Sequence, residues 1–274
     1  REFYRPLHTV IAIADEITMD TLTTRIPDNW GDRTLKRLCC VLNEMVARLQ
    51  DAFETQGRFV ANAAHELRSP LGAMRAQLEV HLRRKRTPDE YEEALSVTLE
   101  EAERLSLLVE HLLILARYEH GTGLAMEQDL PLTPLLRQAA DEVHRTTGAE
   151  ITLTTPDWLT IDGDPIALER AITNLIRNGV QAGGAPVHIN AQLYGDYVEV
   201  TVTDHGKGIP SSELSHLFEP FWRGDPARSR TGGVGLGLAI VKTVVDAHRG
   251  HIEVKSESDQ GTVFILQLPH RKTW

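Results

Sequence analysis

Apolar residues recur at helical spacing through residues 1–52. Leu7, Val10, Ala14 and Ile17 follow one another at intervals of three and four, and the pattern returns after a polar break. The second series has the 3-4-3-4-3 spacing of a coiled-coil seam and comprises Leu35, Leu38, Leu42, Met45, Leu49 and Ala52. We predict two helices joined by a polar connector. Because neither helix can bury its stripe alone, we also expect a partner copy.

Residues 53–121 predict a helical hairpin. Apolar positions continue from Phe53 to Pro70, where the missing proline N–H predicts a kink, and then resume. The segment Thr87-Pro88-Asp89-Glu90 has the N-cap, the proline at N1 and the first-turn acids of a helix start. Two antiparallel helices bury too little surface by themselves, so the pattern favours a dimeric antiparallel four-helix bundle.

Residues 122–274 mix helical and alternating periods. The predicted helices are 135–144, 164–181 and 238–248. The predicted strands, arranged as two hairpins, are 187–194, 197–204, 252–256 and 262–268. Antiparallel strands with separate helices indicate an α/β sandwich of the α+β class.

Composition narrows the function only slightly. Lys and Arg total 29 and Asp and Glu 39, so the net charge of −10 argues against a chain that coats nucleic acid. The two cysteines, Cys39 and Cys40, are adjacent and offer neither a disulfide framework nor a zinc-ligand set, which fits a reducing compartment. No apolar run is long enough to span a membrane.

Two motifs in helical segments carry candidate chemistry. In His65–Pro70, a neutral imidazole is a competent nucleophile, and the adjacent Glu66 can orient it or take its proton. Ser69 stands where a zinc HExxH site needs a second histidine. Asn174 and Asn178 share one helix face, and their amide oxygens suit Mg²⁺. Taken singly, the first motif is more typical of a surface histidine and the second of a solvated or capping asparagine pair.

Two glycine-rich motifs complete the set. Asp204–Gly208 follows a predicted strand, and its aspartate can accept a hydrogen bond from a base amino group while its glycines admit a ligand. Gly232–Leu238 precedes a helix, where free N–H groups and the helix dipole favour an anion. This segment is neither a P-loop nor GxGxxG, so a phosphate cradle here belongs to another nucleotide fold. A simple turn and a flexible hinge are the structural alternatives.

Together, the motifs resemble the cytoplasmic part of a membrane-bound bacterial sensor histidine kinase of a two-component system. The resemblance covers the chain after residue 53. In chain order the matching motifs are the H box at Phe59–Leu71, the N box at Asn174–Asn178, the G1 box at Asp204–Gly208, the F box at Leu217–Arg223 and the G2 box at Gly233–Leu238. The resemblance implies a HAMP-like coiled coil (1–52), a histidine-phosphotransfer bundle (53–121) and a GHKL-type ATP-binding domain (122–274).

The resemblance also implies roles for single residues. His65 would accept the γ-phosphoryl group of ATP, Glu66 would act as base or orienter, and Asn178 would hold Mg²⁺ with Asn174 nearby. Asp204 would recognise the adenine amino group. The implied nucleotide-binding residues are Asn174, Asn178, Asp204, Gly206, Gly208, Phe218, Phe221, Arg223, Gly233, Gly235, Gly237 and Leu238.

Further expectations concern the lid and the partners. Phe218 and Phe221 would anchor a lid that runs to about Gly232, and Arg223 would contact phosphate or dock on the bundle. The phosphoryl group would then pass to an aspartate of a response regulator. A homodimer is implied, at the cytoplasmic side of the bacterial inner membrane, with Arg1 just after a transmembrane helix.

The sequence departs from the family pattern at three positions. Gln181 and Ala182 stand where the family often has a cation and a tyrosine, so we expect weaker nucleotide binding. Ser69 keeps a hydroxyl where Thr or Asn often serves dephosphorylation of the regulator. A catalytically weak scaffold, a phosphatase-biased regulator and a non-kinase ATPase of the same nucleotide fold therefore remain as alternatives.

Overall fold

The computed structural model describes residues 5–28, 33–118, 124–224 and 233–270. The chain divides into two compact units, Arg1–His65 and Glu66–Trp274. The division falls inside one long helix. None of the helices in these described ranges is long and apolar enough to cross a membrane.

The first unit contains helix α1 (Arg5–Glu16) and the start of helix α2 (Arg33–Leu82). Their core forms within one chain, because Val10, Ile26 and Cys39 are all buried against one another. The predicted helices are therefore present, and they share part of their apolar stripe without a partner copy. Several seam residues nevertheless stay exposed, namely Leu38, Met45 and Leu49.

One asparagine fixes the connector between these helices. The side chain of Asn43 donates to the carbonyl of Ile26 and accepts from its N–H, each at 2.8 Å. Two bonds to one residue's backbone hold the apolar Ile26 side chain in the core.

The second unit begins with the helical hairpin formed by the end of α2 and by helix α3 (Pro88–Tyr118). Pro70 lies inside α2, and the helix continues through it to Leu82. Helix α3 starts as predicted: Thr87 N–H donates to Oε2 of Glu90 at 2.8 Å, and Glu90 N–H donates to Oγ1 of Thr87 at 3.3 Å. This reciprocal pair lowers the pKa of Glu90, chiefly through the Thr87 N–H.

The hairpin leaves a large apolar surface open. On α3, three leucines stand more than half exposed, namely Leu95, Leu99 and Leu113. Exposed side chains of this size are typical of a helical face that another chain covers. This surface is consistent with the predicted four-helix bundle.

The rest of the second unit is an α/β sandwich. Its helices are α4 (Leu132–Thr147), α5 (Pro165–Gln181) and α6 (Gly237–Ala247). Its strands are β1 (Glu127–Pro131), β2 (Ile151–Thr154), β3 (Thr160–Gly163), β4 (Val187–Tyr194), β5 (Tyr197–Asp204), β6 (His251–Ser256) and β7 (Thr262–Pro269). The helices pack on one another and on one face of the five-stranded sheet, whose order is β2-β4-β5-β7-β6.

The predicted strands are present and pair antiparallel, and a strand that was not predicted adds a parallel pairing at one edge of the sheet. β2 pairs with β4 in parallel, with Ile151 opposite Val187. β1 and β3 form a separate two-stranded antiparallel sheet. The sequence prediction missed these three strands because they are four or five residues long, too short for an alternating pattern to stand out.

Candidate functional site

A cavity of about 410 Å³ lies where α5, α6 and the loop after β5 meet one face of α3. Its volume falls in the range of about 300–1,000 Å³ that is usual for small-molecule sites. The residues that line it include Arg104, Leu107, Leu108, His111, Asn174, Arg177, Asn178, Gln181, Gly208, Glu213, Trp222, Arg223, Gly233, Gly235, Gly237 and Leu238.

Helix α5 brings both predicted asparagines to the cavity. Asp164 caps this helix by accepting from the N–H groups of Ile166 and Ala167, each at 3.1 Å. Asn174 and Asn178 then lie one turn apart on the face that lines the cavity. A Cβ on Gly237, the first residue of α6, would lie 3.7 Å from Oδ1 of Asn174. The Asn174 amide oxygen therefore lies beside the start of α6.

Asp204 lies at the end of β5 and is only 3% exposed. Burial raises the pKa of its carboxyl, and hydrogen bonds from the Gly206 and Thr262 backbones act in the opposite direction. Gly206 N–H donates to Oδ1 at 2.9 Å. A Cβ at Gly184 would come within 2.7 Å of the Asp204 Cβ, so only glycine leaves room for the carboxylate there. Sequence reasoning missed Gly184, whose signal was the glycine pair after the N box.

The glycines of the G1 box lie close to other parts of the backbone. A Cβ on Gly206 would lie 2.7 Å from the carbonyl oxygen of Ala182, and one on Gly208 would overlap the carbonyl of Glu257. Gly208 also has a φ of +65°. The close approach that these glycines allow is to their own chain. A side chain at either position would disturb the loop that follows Asp204.

The F box and the G2 box are joined through the backbone. Phe221 N–H donates to the carbonyl of Gly235 at 2.9 Å. Gly235 has a φ of +80°, and a Cβ there would lie 2.7 Å from the carbonyl oxygen of Trp222. In contrast, a Cβ on Gly233 would meet none of the described atoms within 4 Å. Gly237 then begins α6, whose N-terminus offers free N–H groups and the positive end of the dipole.

The structure brings most of the predicted nucleotide residues together. The lining includes Asn174, Asn178, Gly208, Arg223, Gly233, Gly235, Gly237 and Leu238. Four other described residues are absent from that lining, namely Asp204, Gly206, Phe218 and Phe221. Most of the predicted lid, residues 225–232 with Gly232, lies outside the described residues.

Sequence reasoning missed one wall of the cavity. Arg104, Leu107, Leu108 and His111 lie on one face of α3 and all line it. Burial lowers the pKa of His111; the Glu110 carboxylate opposes that effect, and nearby arginines reinforce it. The spacing of three, one and three was visible in the sequence, but it reads equally well as a helical core stripe.

Ion pairs fix the arginines of α5. Arg177 bonds to Glu142 of α4 at 2.8 Å. Arg170 pairs with Glu110 of α3 and so ties the hairpin to the sandwich.

The candidate phosphoacceptor lies on α2. His65 is exposed there, and Glu66 and Ser69 follow it on the same helix. Pro70 has no N–H to donate to the carbonyl of Glu66, four residues earlier. Within the part of the chain that the structure describes, no cluster of three or more His, Cys, Asp or Glu residues could hold a metal ion. The amide oxygens of Asn174 and Asn178 remain suitable for Mg²⁺, which also takes water and phosphate ligands.

Two protein families match the chain. Residues 55–121 match the His Kinase A (phospho-acceptor) domain. Residues 163–272 match the Histidine kinase-, DNA gyrase B-, and HSP90-like ATPase family. The first match contains His65 and the second contains the described cavity residues of α5 and α6.

Curated relatives match along most of this chain, and two of them illustrate the similarity. Sensor protein CutS of Streptomyces coelicolor is 36% identical over 273 residues, which cover 96% of this chain and 65% of CutS. Sensor histidine kinase CusS of Escherichia coli is 32% identical over 272 residues, which cover 97% of this chain and 56% of CusS. The chain thus spans less than two thirds of the length of either relative.

A solved structure is also similar to this chain. Full-length ShkA in complex with AMPPNP is 26% identical to this chain, with a TM-score of 0.57 over 78% of this chain and 45% of ShkA. With these matches and the order of its motifs, the chain belongs to the sensor histidine kinases of two-component systems and carries their phosphoacceptor and ATPase domains.

Proposed function

We propose that this chain is an ATP-dependent protein-histidine kinase that phosphorylates His65 from Mg-ATP. The phosphoryl group then passes to an aspartate of a response regulator. One observation carries the proposal: two asparagine amides, a helix N-terminus and arginine side chains converge on one cavity, in a chain whose long helix exposes His65.

Residues that line the cavity and the buried Asp204 have different roles in nucleotide binding. Asp204 recognises the adenine amino group from its buried position behind the G1 loop. The N-terminus of α6 at Gly237 faces the phosphates, where free N–H groups stabilise negative charge. ShkA was solved in complex with AMPPNP, an ATP analogue, and this similarity supports nucleotide binding by the present chain.

Asn178 and Asn174 supply amide oxygens for Mg²⁺ beside the phosphates. The ion neutralises charge on the phosphates when it is bound. Phe218 and Phe221 anchor the lid, and the bond from Phe221 to Gly235 ties that anchor to the G2 loop.

The proposed transfer forms one bond and breaks one. A neutral imidazole nitrogen of His65 attacks the γ-phosphorus, and the bond from that phosphorus to the β,γ-bridging oxygen breaks, so ADP leaves. Glu66 either orients the imidazole ring or accepts the proton from its other nitrogen. Transfer of this kind depends mainly on positioning and charge neutralisation.

We assign three modules to the chain: a HAMP-like relay (1–52), a dimerisation and phosphotransfer hairpin (53–121) and an ATP-binding domain (122–274). The exposed apolar face of α3 supports a homodimer. We further propose that the full protein is anchored at the cytoplasmic side of the bacterial inner membrane. A change of helix packing in the first module would carry the signal along α2 towards Pro70.

The test is incubation with γ-labelled ATP and Mg²⁺, using the unchanged chain, His65→Gln and His81→Gln. His81 is a matched control because it lies on the same helix. We expect acid-labile, base-stable label in the unchanged chain and in the control, and none in His65→Gln. Label that survives in His65→Gln contradicts the assignment.

A second candidate is a catalytically weak scaffold, which the residues at the end of α5 favour. Gln181 and Ala182 bring no cation and no aromatic ring to the cavity that they line. No turnover in the same assay, with a stable dimer, supports the scaffold. ATP hydrolysis without labelled protein supports a non-kinase ATPase. If the Ser69→Ala variant is still labelled but no longer dephosphorylates the regulator, Ser69 has a phosphatase role.

A further inference from the structure

Helix α3 supplies an arginine to the cavity of the neighbouring domain. Arg104 lines that cavity together with Gly235 and Gly237, and α3 packs against α6, which begins at Gly237. Leu107, Leu108 and His111 continue the same face, so the position of Arg104 follows from the packing of the whole helix rather than from one flexible side chain.

The arginines that line the cavity differ in whether they have interaction partners. Among the described residues, three arginines line it, namely Arg104, Arg177 and Arg223. Arg177 is paired with Glu142 at 2.8 Å, and Arg223 also has an interaction of its own. Within the described ranges, Arg104 makes no hydrogen bond or ion pair. A guanidinium left in this state beside a phosphate cradle is available for an anionic ligand.

The last residue of α5 contributes no positive charge to the cavity. Gln181, the last residue of this helix, lines the same cavity and carries no charge. Glu213 adds a carboxylate to the lining. A polyphosphate therefore gains little positive charge from this end of α5, and the cation that the described residues leave available comes from α3.

We infer that Arg104 binds the phosphates of the nucleotide, so that the phosphoacceptor hairpin completes the nucleotide site. The inference rests on the proposed function, because it takes ATP as the ligand. Guanidinium groups bind phosphate through two parallel charge-assisted hydrogen bonds, which a glutamine at 181 cannot replace. By linkage, bound ATP stabilises the packing of α3 against the nucleotide domain more strongly than adenosine does.

The test compares calorimetric affinities for ATP with Mg²⁺, ADP and adenosine in the unchanged chain, Arg104→Gln and Arg117→Gln. Arg117 is the matched control, because it is the other arginine of α3 and does not line the cavity. We expect Arg104→Gln to weaken ATP binding by roughly tenfold to hundredfold, which is the usual range for one lost hydrogen bond to a charged group. Adenosine affinity and the Arg117→Gln affinities should stay unchanged.

A second variant checks that charge, rather than packing, is responsible. Adding Gln181→Lys to Arg104→Gln returns a cation to the cavity lining, and it should restore part of the lost ATP affinity. Equal losses for ATP and adenosine would show that Arg104 acts through helix packing, which overturns the inference. Unchanged ATP affinity in Arg104→Gln overturns it as well. If the unchanged chain binds neither adenosine nor ATP, the proposed function itself fails. This outcome is distinct from failure of the inference about Arg104.

Discussion

The hydroxyl of Tyr118 donates a hydrogen bond to Oδ2 of Asp164 across 3.3 Å and joins the last residue of α3 to the N-cap of α5. The same oxygen accepts from Ala125 N–H at 2.8 Å. The backbone N–H of Asp164 donates to Nε2 of His248 at 2.9 Å. One aspartate thus fastens the end of the hairpin, the following linker and two sandwich helices.

We expect Tyr118→Phe to lower the free energy of unfolding of the second unit. Tyr118 is only 5% exposed, and burial raises the pKa of its hydroxyl, so the lost bond is a sheltered one. A single hydrogen bond is worth about 1 kcal/mol. Urea unfolding measures the loss. Tyr91→Phe is the control, since its hydroxyl only accepts a 3.3 Å bond at an exposed position. Equal effects of the two variants would contradict a stabilising role for the Tyr118–Asp164 hydrogen bond.

His248 makes stability depend on pH. Its Nδ1 donates to the Val244 carbonyl at 2.7 Å, and its Nε2 accepts from Asp164, so the folded chain holds a neutral ring. Burial lowers the pKa of this imidazole. Below about pH 6.5, the ordinary histidine pKa, the unfolded chain therefore binds the proton more readily than the folded chain. Stability should fall as the pH drops through this range.

The measurement is urea unfolding at about pH 7.5 and about pH 5.5 for the unchanged chain and His248→Gln, two conditions about one unit either side of the ordinary histidine pKa. We expect a smaller loss on acidification in the variant, because glutamine can accept the Asp164 bond without titrating. His111→Gln should also reduce the loss, since burial lowers the pKa of His111 too. His251→Gln is the control at an exposed position. A loss on acidification that is the same in all variants would exclude this origin.

Two glycines of the G2 box should respond very differently to alanine. Gly235 combines a φ of +80° with a Cβ position 2.7 Å from the Trp222 carbonyl oxygen, whereas Gly233 has open space among the described residues. Left-handed backbone alone costs an alanine about 1–2 kcal/mol. We expect Gly235→Ala to destabilise the domain by more than that and to weaken ATP binding, and Gly233→Ala to leave the free energy of unfolding unchanged. Thermal unfolding with and without ATP measures both effects.

Asn178 should matter only when the metal is present. Removing its amide oxygen in Asn178→Ala should reduce ATP affinity in Mg²⁺ and leave the affinity in EDTA unchanged, because the oxygen acts through the ion. Titration calorimetry in both buffers measures the difference. Asn190→Ala on β4, outside the cavity lining, is the matched control. An equal loss in EDTA would assign Asn178 a direct contact with the nucleotide.

The sequence by itself determined the helices and strands whose apolar residues recur at clear helical or alternating spacing. Local spacing, caps and alternation act within a few residues and predict helices α5 and α3 and strand β5. These elements contain Asn174 and Asn178, follow Thr87, and end at Asp204, respectively. The motifs that predict phosphoryl transfer were also visible in the sequence, since they are short and contiguous. The four-residue strands β2 and β3 were not readable, because so few residues give no clear period.

Only the tertiary structure decided what the site residues touch. The G1 glycines proved to pack against Ala182 and Glu257, which are distant in sequence from them. Arg104 reaches the cavity through the packing of α3 on α6, although its spacing looked like part of a core stripe. Contacts of this kind depend on how helices dock, and docking is set by many side chains at once rather than by any local pattern.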